Sequence, residues 1–304
     1  MPSTQEFRRR IKSVNNTKQI TKAMEMIASI KMQKSVKTAA GARKYVQNSW
    51  NMLVTLAKLT SPEKHPLLNA REFRKTAVIL ITSDRGLCGS YNSEVLKKFV
   101  NFERTECSCG GKSCDEYTGS CDVIALGKKG AEFVKRYKTG RMIAEFPAIE
   151  SNIQFEDIRP VSKLTIDEYL NENYDRVVVI YSHFESSIKQ TPVVKQILPI
   201  TQEHIDIPEL WEKSDQSAET EFKFEPDPDT VLDVLLPQFV RLQIFGAILE
   251  ANASEHSARM VAMKNATDNA TDLVDELRLV YNTIRQGNIT REIAEISGAA
   301  EAMK

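Results

Sequence analysis

The last seventy-odd residues restrict the fold of this 304-residue chain more than any other stretch. From residue 230 to 304, apolar or small residues recur at alternating steps of three and four, the pattern of a coiled-coil seam. No proline follows Pro237, a residue that suits the start of a helix better than its middle. One helix here would be roughly 100 Å long and would need a partner helix for much of its length. The seam positions are Leu242, Phe245, Leu249, Ala253, His256, Met260, Met263, Thr267, Ala270, Val274, Leu277, Tyr281, Ile284 and Asn288.

This seam is unusually polar. His256, Thr267 and Asn288 occupy positions where a strong zipper has leucine. Residues 264–272 read KNATDNATD, which is polar on every side and poor in helix propensity. A helix of this kind either bridges solvent or is enclosed by polar surroundings. We interpret His256 as a packed polar residue rather than a catalytic base.

A second long helix is predicted over residues 4–58. No proline lies between Ser3 and Ser61, and Gly41 is the only glycine there. A helix of this length far exceeds the globular average of about twelve residues, so a simple amphipathic helix on a core is a poor explanation. The two terminal helices most simply pair as an antiparallel coiled coil. The apolar stripe of the first helix comprises Phe7, Ile11, Val14, Ile20, Met24, Ile27, Val46, Trp50, Leu53 and Ala57.

The middle of the chain has a different pattern. Short β-branched runs at 76–82, 122–126 and 176–181 predict buried strands, and helical patterns separate them. A further strand at 193–199 is flanked by prolines, which predicts a sheet edge. The predicted fold class is therefore α/β: a long antiparallel coiled coil with an inserted Rossmann-like α/β domain. The expected boundaries are 1–59 for the first shaft helix, 76–200 for the α/β domain, 201–229 for an acidic linker and 230–304 for the second shaft helix.

Net charge is zero, but the charges are segregated along the chain. Residues 1–60 carry twelve lysines and arginines against two glutamates, whereas residues 201–229 carry ten acids against two lysines. The basic helix lacks the interleaved aromatics of a single-strand binder, so an acidic protein surface is favoured over nucleic acid. We find no uninterrupted run of 18 apolar residues and no secretory pattern, and we interpret the N-terminus as mature protein.

The α/β pattern raises the alternative of a nucleotide-binding enzyme. Residues 83–89, SDRGLCG, follow the first strand, but their spacing is not G-x-G-x-x-G. A tight turn with Ser83 or Asp84 as a local cap is the favoured interpretation. The Gly111-Lys112-Ser113 run lacks the earlier glycine of a phosphate loop, since Glu106 stands there. No G-x-S-x-G or H-E-x-x-H motif occurs, and the four histidines are scattered.

Four of the five cysteines lie close together in a loop at 105–121. Four thiolates at this spacing, with two glycines that let the chain wrap, predict a tetrahedral zinc site of structural or regulatory character. The usual pair of C-x-x-C knuckles is missing, so a redox disulfide or unpaired surface thiols remain alternatives. The cysteines are Cys107, Cys109, Cys114 and Cys121.

Four stretches together resemble the gamma subunit of F-type ATP synthases. Residues 9–26 read RRIKSVNNTKQITKAMEM, and residues 253–270 read ASEHSARMVAMKNATDNA. Residues 285–296 read RQGNITREIAEI, and the loop at 83–89 also fits. The resemblance spans essentially the whole chain in order.

The resemblance implies a mechanical function without catalytic residues or a required cofactor. In that family the terminal helices form a shaft inside a ring of three alpha and three beta subunits. The α/β domain lies beside the epsilon subunit and on the c-subunit ring. Ion flow turns the ring and the shaft, and the shaft changes the nucleotide affinities of the beta subunits. The implied location is peripheral, on the cytoplasmic face of the bacterial plasma membrane, with a processed organellar inner-membrane protein as the alternative.

The resemblance also implies contact residues. By motif position, Lys22 and Met24 should meet the acidic lever of a beta subunit, with Arg259 supporting the shaft from the other helix. In the same way, Arg285, Gln286 and Thr290 should meet a beta loop around the upper shaft.

The cysteine loop departs from the family pattern. It is longer and richer in cysteine than the family segment between the first helix and the second strand of the α/β domain. Chloroplast members carry a regulatory dithiol after the strand equivalent to 197–200, where this chain has no cysteine. The resemblance therefore does not imply thiol regulation.

Overall fold

The computed structural model describes residues 4–59, 65–69, 71, 75–107, 121–149, 153–200 and 227–303. Their contacts divide the chain into two compact units. The coiled-coil unit comprises Met1–Ser29 and Arg259–Lys304, and the sheet unit comprises Ile30–Ala258. The elements are α1 (Thr4–Leu59), β1 (Thr76–Ile81), α2 (Tyr91–Phe102), β2 (Cys121–Leu126), α3 (Lys128–Tyr137), β3 (Arg141–Phe146), α4 (Arg159–Leu170), β4 (Arg176–Phe184), β5 (Gln190–Leu198) and α5 (Pro228–Ala302).

The sheet unit is built on five strands in the order β3-β2-β1-β4-β5. The first four strands in this order are parallel, whereas β5 runs antiparallel to β4 at the edge. The strands predicted at 76–82, 122–126 and 176–181 are confirmed, as is the edge strand. Strand β3 was not predicted, because its RMIAEF sequence is half-exposed and lacks a β-branched run.

Both faces of the sheet are covered, because alternate residues of a strand point to opposite sides. Ile79 of β1 belongs to the larger core cluster, which also contains Leu56 of α1 and Leu249 of α5. Val78 faces the opposite way and packs in a smaller cluster with Phe99 of α2. The sheet therefore lies between the two terminal helices on one side and the short helices α2 and α3 on the other.

Helix α5 begins at Pro228, nine residues before Pro237. Asp227 precedes the helix and accepts hydrogen bonds from the backbone N–H and the hydroxyl of Thr230, at 2.9 and 2.8 Å. Pro237 lies inside the helix, which begins two residues before the predicted start at residue 230. An interior proline costs about 3 kcal/mol. Burial of Leu236 and Phe239 in the core of the sheet unit offsets this cost.

Part of α5 is long and apolar enough to cross a membrane, judged by length and composition alone. The sequence showed no uninterrupted apolar run, because polar residues punctuate this helix. Of the most apolar segment of α5, 56% is buried inside the protein. A core helix of a soluble protein also passes this test, so one such helix is weak evidence for a membrane span.

The predicted seam of α5 is confirmed along most of its length. In the sheet unit its positions from Leu242 to His256 are buried. In the coiled-coil unit Met263 and Val274 are buried, positions 277 to 284 are half-buried and Asn288 is exposed. Burial thus declines toward the C-terminus of the helix.

The stripe predicted for α1 is wrong at Ile20 and Ile27, which are 60% and 55% exposed. Thr21 and Ala28 are the buried residues at this level instead. Small side chains allow close approach of a partner helix, and the bulkier isoleucines are left on the outer side. The choice between these two faces depends on the partner helix rather than on the apolar content of α1.

Candidate functional site

The centre of the coiled-coil unit is held by hydroxyl groups. Thr267 Oγ1 lies 2.8 Å from Thr21 Oγ1 and 2.8 Å from the carbonyl oxygen of Met263. Thr21 Oγ1 lies 3.0 Å from the carbonyl oxygen of Lys18. Each hydroxyl therefore has a partner, which removes the cost of burying it. The polar KNATDNATD stretch forms continuous helix because its two seam residues, Thr267 and Ala270, are small enough to be buried.

A second polar contact joins α1 and α5 in this unit. Arg8 Nε donates a hydrogen bond of 2.8 Å to Tyr281 Oη, and the guanidinium carbon lies 5.5 Å from the Tyr281 ring centroid. A cation over an aromatic face adds roughly 0.5–1 kcal/mol at an exposed site. The helix pair therefore uses polar and cation–π contacts where a strong zipper would use leucine.

The first group of predicted contact residues lies in the coiled-coil unit. Lys22 is exposed, and its Nζ lies 3.1 Å from Glu25 Oε2 one turn along the same helix. Met24 and Arg259 are half-buried. No described contact tests the roles predicted for Lys22, Met24 and Arg259.

The second group lies on the terminal part of α5. Arg285, Gln286 and Thr290 are exposed, and so is every residue from 285 to 300. In this segment Ile289, Ile293 and Ile296 are 46%, 62% and 67% exposed. Their steps of four and three have the spacing of a coiled-coil seam but do not continue the register that ends at Asn288, and no described residue covers them. Our sequence analysis missed this stripe, although its spacing was visible.

An apolar face on α1 was also missed as an outward-facing surface. Ile20, Met26 and Ile27 are each more than half exposed. Exposed apolar residues grouped on one helix commonly mark a surface that binds another protein. The coiled-coil unit thus presents both basic and apolar side chains outward.

The loop at 83–89 uses its polar groups within the fold. Ser83 is fully buried, and its N–H donates to Asn92 Oδ1 at 3.1 Å. Asp84 Oδ1 accepts the N–H of Lys128 at 2.9 Å and of Ala148 at 3.1 Å. Asp84 therefore caps the start of α3 and fastens the chain after β3. This geometry supports the tight-turn interpretation over a phosphate cradle.

The predicted zinc ligands lie mostly outside the described residues. This holds for Cys109, Cys114 and the side chain of Cys107. Cys121 begins β2, is 1% exposed and is disulfide-bonded. A disulfide sulfur is not a thiolate ligand, so a four-cysteine zinc site would require this bond to be reduced. Within the described ranges, no group of three or more His, Cys, Asp or Glu residues is placed to hold a metal.

The architecture defines a class of protein in which a long helix stands at each end of the chain and an α/β domain is inserted between them. A family model described as ATP synthase matches residues 3–303. The ATP synthase gamma chain of Staphylococcus haemolyticus is 37% identical over 306 residues, covering 100% of both chains. That of Brevibacillus brevis is 38% identical over 297 residues, covering 98% of this chain and 97% of its own.

This chain belongs to the ATP synthase gamma chain family. Solved structures have a similar fold at low identity. A chain of the Euglena gracilis mitochondrial ATP synthase (OSCP/F1/c-ring) has a TM-score of 0.64 at 16% identity, covering 99% of this chain and 94% of its own. A central stalk/c-ring chain of the Tetrahymena thermophila mitochondrial enzyme has a TM-score of 0.58 at 22% identity, covering 81% and 99%. The family predicted from the sequence is thus confirmed.

Proposed function

We propose that this chain is the central rotor shaft of an F-type ATP synthase. It couples ion-driven rotation of the c-subunit ring to conformational changes at the beta-subunit catalytic sites, for ATP synthesis or hydrolysis. The observation that carries the proposal is the coiled-coil unit. Its centre holds the hydrogen-bonded hydroxyls of Thr21 and Thr267, and its outer faces carry exposed apolar and basic side chains. Its membership of the gamma chain family supports the same function.

The mechanism rests on differential contacts. A ligand shifts a two-state equilibrium only by the difference in its affinity for the two states. A helix pair that is not symmetric about its axis would offer a different contact to each of three surrounding beta subunits. Rotation exchanges these contacts, so each catalytic site passes in turn through states of different nucleotide affinity.

Specific residues are assigned to these contacts. Lys22 and Met24 would meet the acidic lever of a beta subunit, and Arg259 would support the shaft from α5. Arg285, Gln286 and Thr290 would meet a beta loop around the upper shaft. The exposure of Lys22, Arg285, Gln286 and Thr290 supports these assignments, because each can reach a neighbouring chain.

The chain would serve the enzyme complex as a non-catalytic subunit. Catalysis would take place on the beta subunits, and this chain would need no cofactor of its own. The internal hydrogen bonds of Ser83 and Asp84 support this view, since they occupy the loop in which a nucleotide phosphate would bind. Zinc at the cysteine loop is proposed only as a structural or regulatory addition.

The proposed surroundings follow from the rotor function. The partners would be the alpha3beta3 hexamer, the epsilon subunit and the c-subunit ring, with no nucleic acid. The protein would be peripheral to the membrane, on the cytoplasmic face of a bacterial plasma membrane. A processed organellar inner-membrane protein is the alternative.

Affinity purification of the tagged chain from its native source tests the proposal. We expect two co-purifying proteins, each in roughly threefold molar excess over this chain, as a closed ring of alternating subunits requires. The eluate should hydrolyse ATP. Recovery of the chain alone, or with partners that lack ATPase activity, would contradict the rotor function.

A further inference from the structure

A short turn at residues 65–69, which we name the His65 turn, lies between α1 and β1 and contacts two distant parts of the sheet unit. Leu67 is 1% exposed and belongs to the core cluster that also contains Leu236 of α5. The carbonyl oxygen of Leu67 accepts the N–H of Ile200, just after β5, at 3.0 Å. The turn therefore fastens the segment after α1 to the end of β5 and to the core around the start of α5.

The hydrogen bonds of the His65 ring fix its protonation state. Its Nδ1 atom lies 3.1 Å from the backbone nitrogen of Leu67 and accepts the hydrogen bond of that N–H, which can only donate. Nδ1 therefore carries no proton. Nε2 lies 3.2 Å from Asp233 Oδ1 of α5 and holds the single proton of the neutral ring, which the carboxylate accepts. The neutral imidazole thus joins the turn to α5.

Burial opposes protonation of the His65 ring. The side chain is 15% exposed, and burial lowers the pKa of the imidazole below its usual value, although the Asp233 carboxylate acts in the opposite direction. Asp233 is 70% exposed, so solvent and salt screen its charge. The bond from Leu67 acts in the same direction as burial, because a proton on Nδ1 would take away the acceptor of a backbone N–H.

Asp233 is the charged group that acts on His65 within the described part of the chain. From α4, Tyr169 Oη donates to the last carbonyl oxygen of the turn at 3.4 Å, and burial raises the pKa of this phenol, so it stays neutral. Arg71 lies 5.4 Å from the Tyr169 ring centroid and pairs with Glu172 at 3.5 Å. A response of the turn near pH 6 therefore depends on His65 itself.

We propose that His65 is a pH-sensitive contact, which keeps the His65 turn closed while the ring is neutral and loosens it when the ring is protonated. Protonation places a hydrogen on Nδ1, so that two donors face each other and the bond from Leu67 is lost. Because the closed turn favours the neutral ring, it is held above the usual histidine pKa of about 6.5 and loosens as the pH falls below that value. The proposal does not depend on the rotor function.

Hydrogen exchange of the full-length chain at pH 7.5 and pH 5.5, followed by mass spectrometry and corrected for the intrinsic rate at each pH, tests the proposal. A freely titrating histidine is protonated about ten to one at pH 5.5, so the protection of residues 65–69 should fall by up to about tenfold. The amides of β1 should keep their protection. Unchanged protection of the turn, or an equal loss in β1, would overturn the proposal.

Two substitutions at position 65 separate the acceptor from the titration. His65→Asn keeps a side-chain acceptor for the N–H two residues on, as in an Asx-turn, but does not titrate. Its turn should be protected equally at both pH values. His65→Ala removes the acceptor and should leave the turn poorly protected at both. Circular dichroism checks folding, and if His65→Ala does not fold, His65→Asn alone decides. A pH effect that persists in His65→Asn would overturn the proposal.

NMR of the full-length chain with isotope-labelled histidine reads the ring directly. The chain has four histidines, and the signals lost in His65→Asn identify His65. We expect an unprotonated Nδ1 at pH 7.5 and a pKa below about 6.5. Asp233→Asn should lower this pKa further, because it removes the charge that favours the protonated ring. A protonated Nδ1 at pH 7.5, or a pKa above the usual value, would overturn the proposal.

Discussion

Gly246 offers a direct test of how α5 is stabilised. Because a Cβ at this position meets no atom within 4 Å, Gly246→Ala should raise the free energy of unfolding by about 1 kcal/mol. Urea unfolding of the full chain, followed by circular dichroism, measures the change. Gly127→Ala is the control: Gly127 has φ of 105°, and an added Cβ would lie 2.1 Å from the Thr82 carbonyl oxygen. That variant should be strongly destabilised. A loss of stability in Gly246→Ala would contradict this account.

The lowered pKa of Glu250 predicts that the free energy of unfolding depends on pH in a specific way. The pKa of the Glu250 carboxyl is lower in the folded state than in the unfolded state, where it is about 4.3. The carboxylate therefore stabilises the fold above the unfolded pKa. This contribution is lost as the pH falls through the lower folded pKa. Glu250→Gln should therefore cost roughly 1–2 kcal/mol between about pH 5 and 7, and less below about pH 4. Urea unfolding at several pH values measures the difference.

Glu132→Gln is the control for this prediction. The Glu132 side chain is 66% exposed and pairs with Lys129 across one helical turn. Exposed pairs of this kind contribute little, so the variant should match the unmodified chain at every pH. A Glu250→Gln effect that persists undiminished at pH 3 would refute the assignment to the carboxylate.

The helical continuity of α5 can be tested at Val274, which is 3% exposed in the coiled-coil unit. Val274→Pro removes a backbone donor and clashes with the preceding turn, so it should destabilise the helix locally by about 3 kcal/mol or more. Helical circular dichroism should fall, and ATP synthesis by the assembled complex should be impaired. Val274→Ala, which keeps the helix but leaves a small void, should lose less of both. Normal coupling in Val274→Pro would mean that a continuous α5 is not needed.

At the scale of helices and strands, the local sequence predicts some features correctly and others wrongly. The seam of α5 was predictable because steps of three and four are specific to a helix with a partner. The wrong face of α1 at Ile20 and Ile27 was chosen because the identity of the buried face depends on a helix more than 200 residues away. Pro237 is tolerated inside α5 because tertiary burial outweighs helix propensity in a core helix.

Some residues of the candidate sites were predictable from the sequence, and others were not. Arg285, Gln286 and Thr290 were selected by motif position, and their exposure is consistent with that selection. The contact between Glu250 and His183 could not be foreseen, because they are 67 residues apart in the chain and meet only when β4 packs on α5. The disulfide of Cys121 was one of three alternatives that spacing alone left open.

For the assembled complex, the upper-shaft residues predict a loss of coupling without a loss of folding. Arg285 is exposed and has no described structural role, so Arg285→Glu should leave the circular dichroism and thermal unfolding of the chain unchanged. If Arg285 meets a beta loop, reversing its charge should lower the rate of ATP synthesis in reconstituted vesicles by about tenfold.

Arg291→Glu is the matched control, because Arg291 is exposed on the same helix but is not one of the residues assigned to the beta loop. It should reduce synthesis much less than Arg285→Glu. Equal losses in the two variants would assign the effect to the overall charge of the helix end rather than to one contact.

Rotation of this chain inside the complex tests the rotor function most directly. A biotin-bearing residue at Ile188, which is 85% exposed on the turn between β4 and β5, would carry a bead while the alpha3beta3 hexamer is fixed to a surface. We predict that ATP turns the bead continuously in one direction and that rotation stops when ATP is removed. ATP hydrolysis by surface-held complexes whose beads do not rotate would contradict the proposed function.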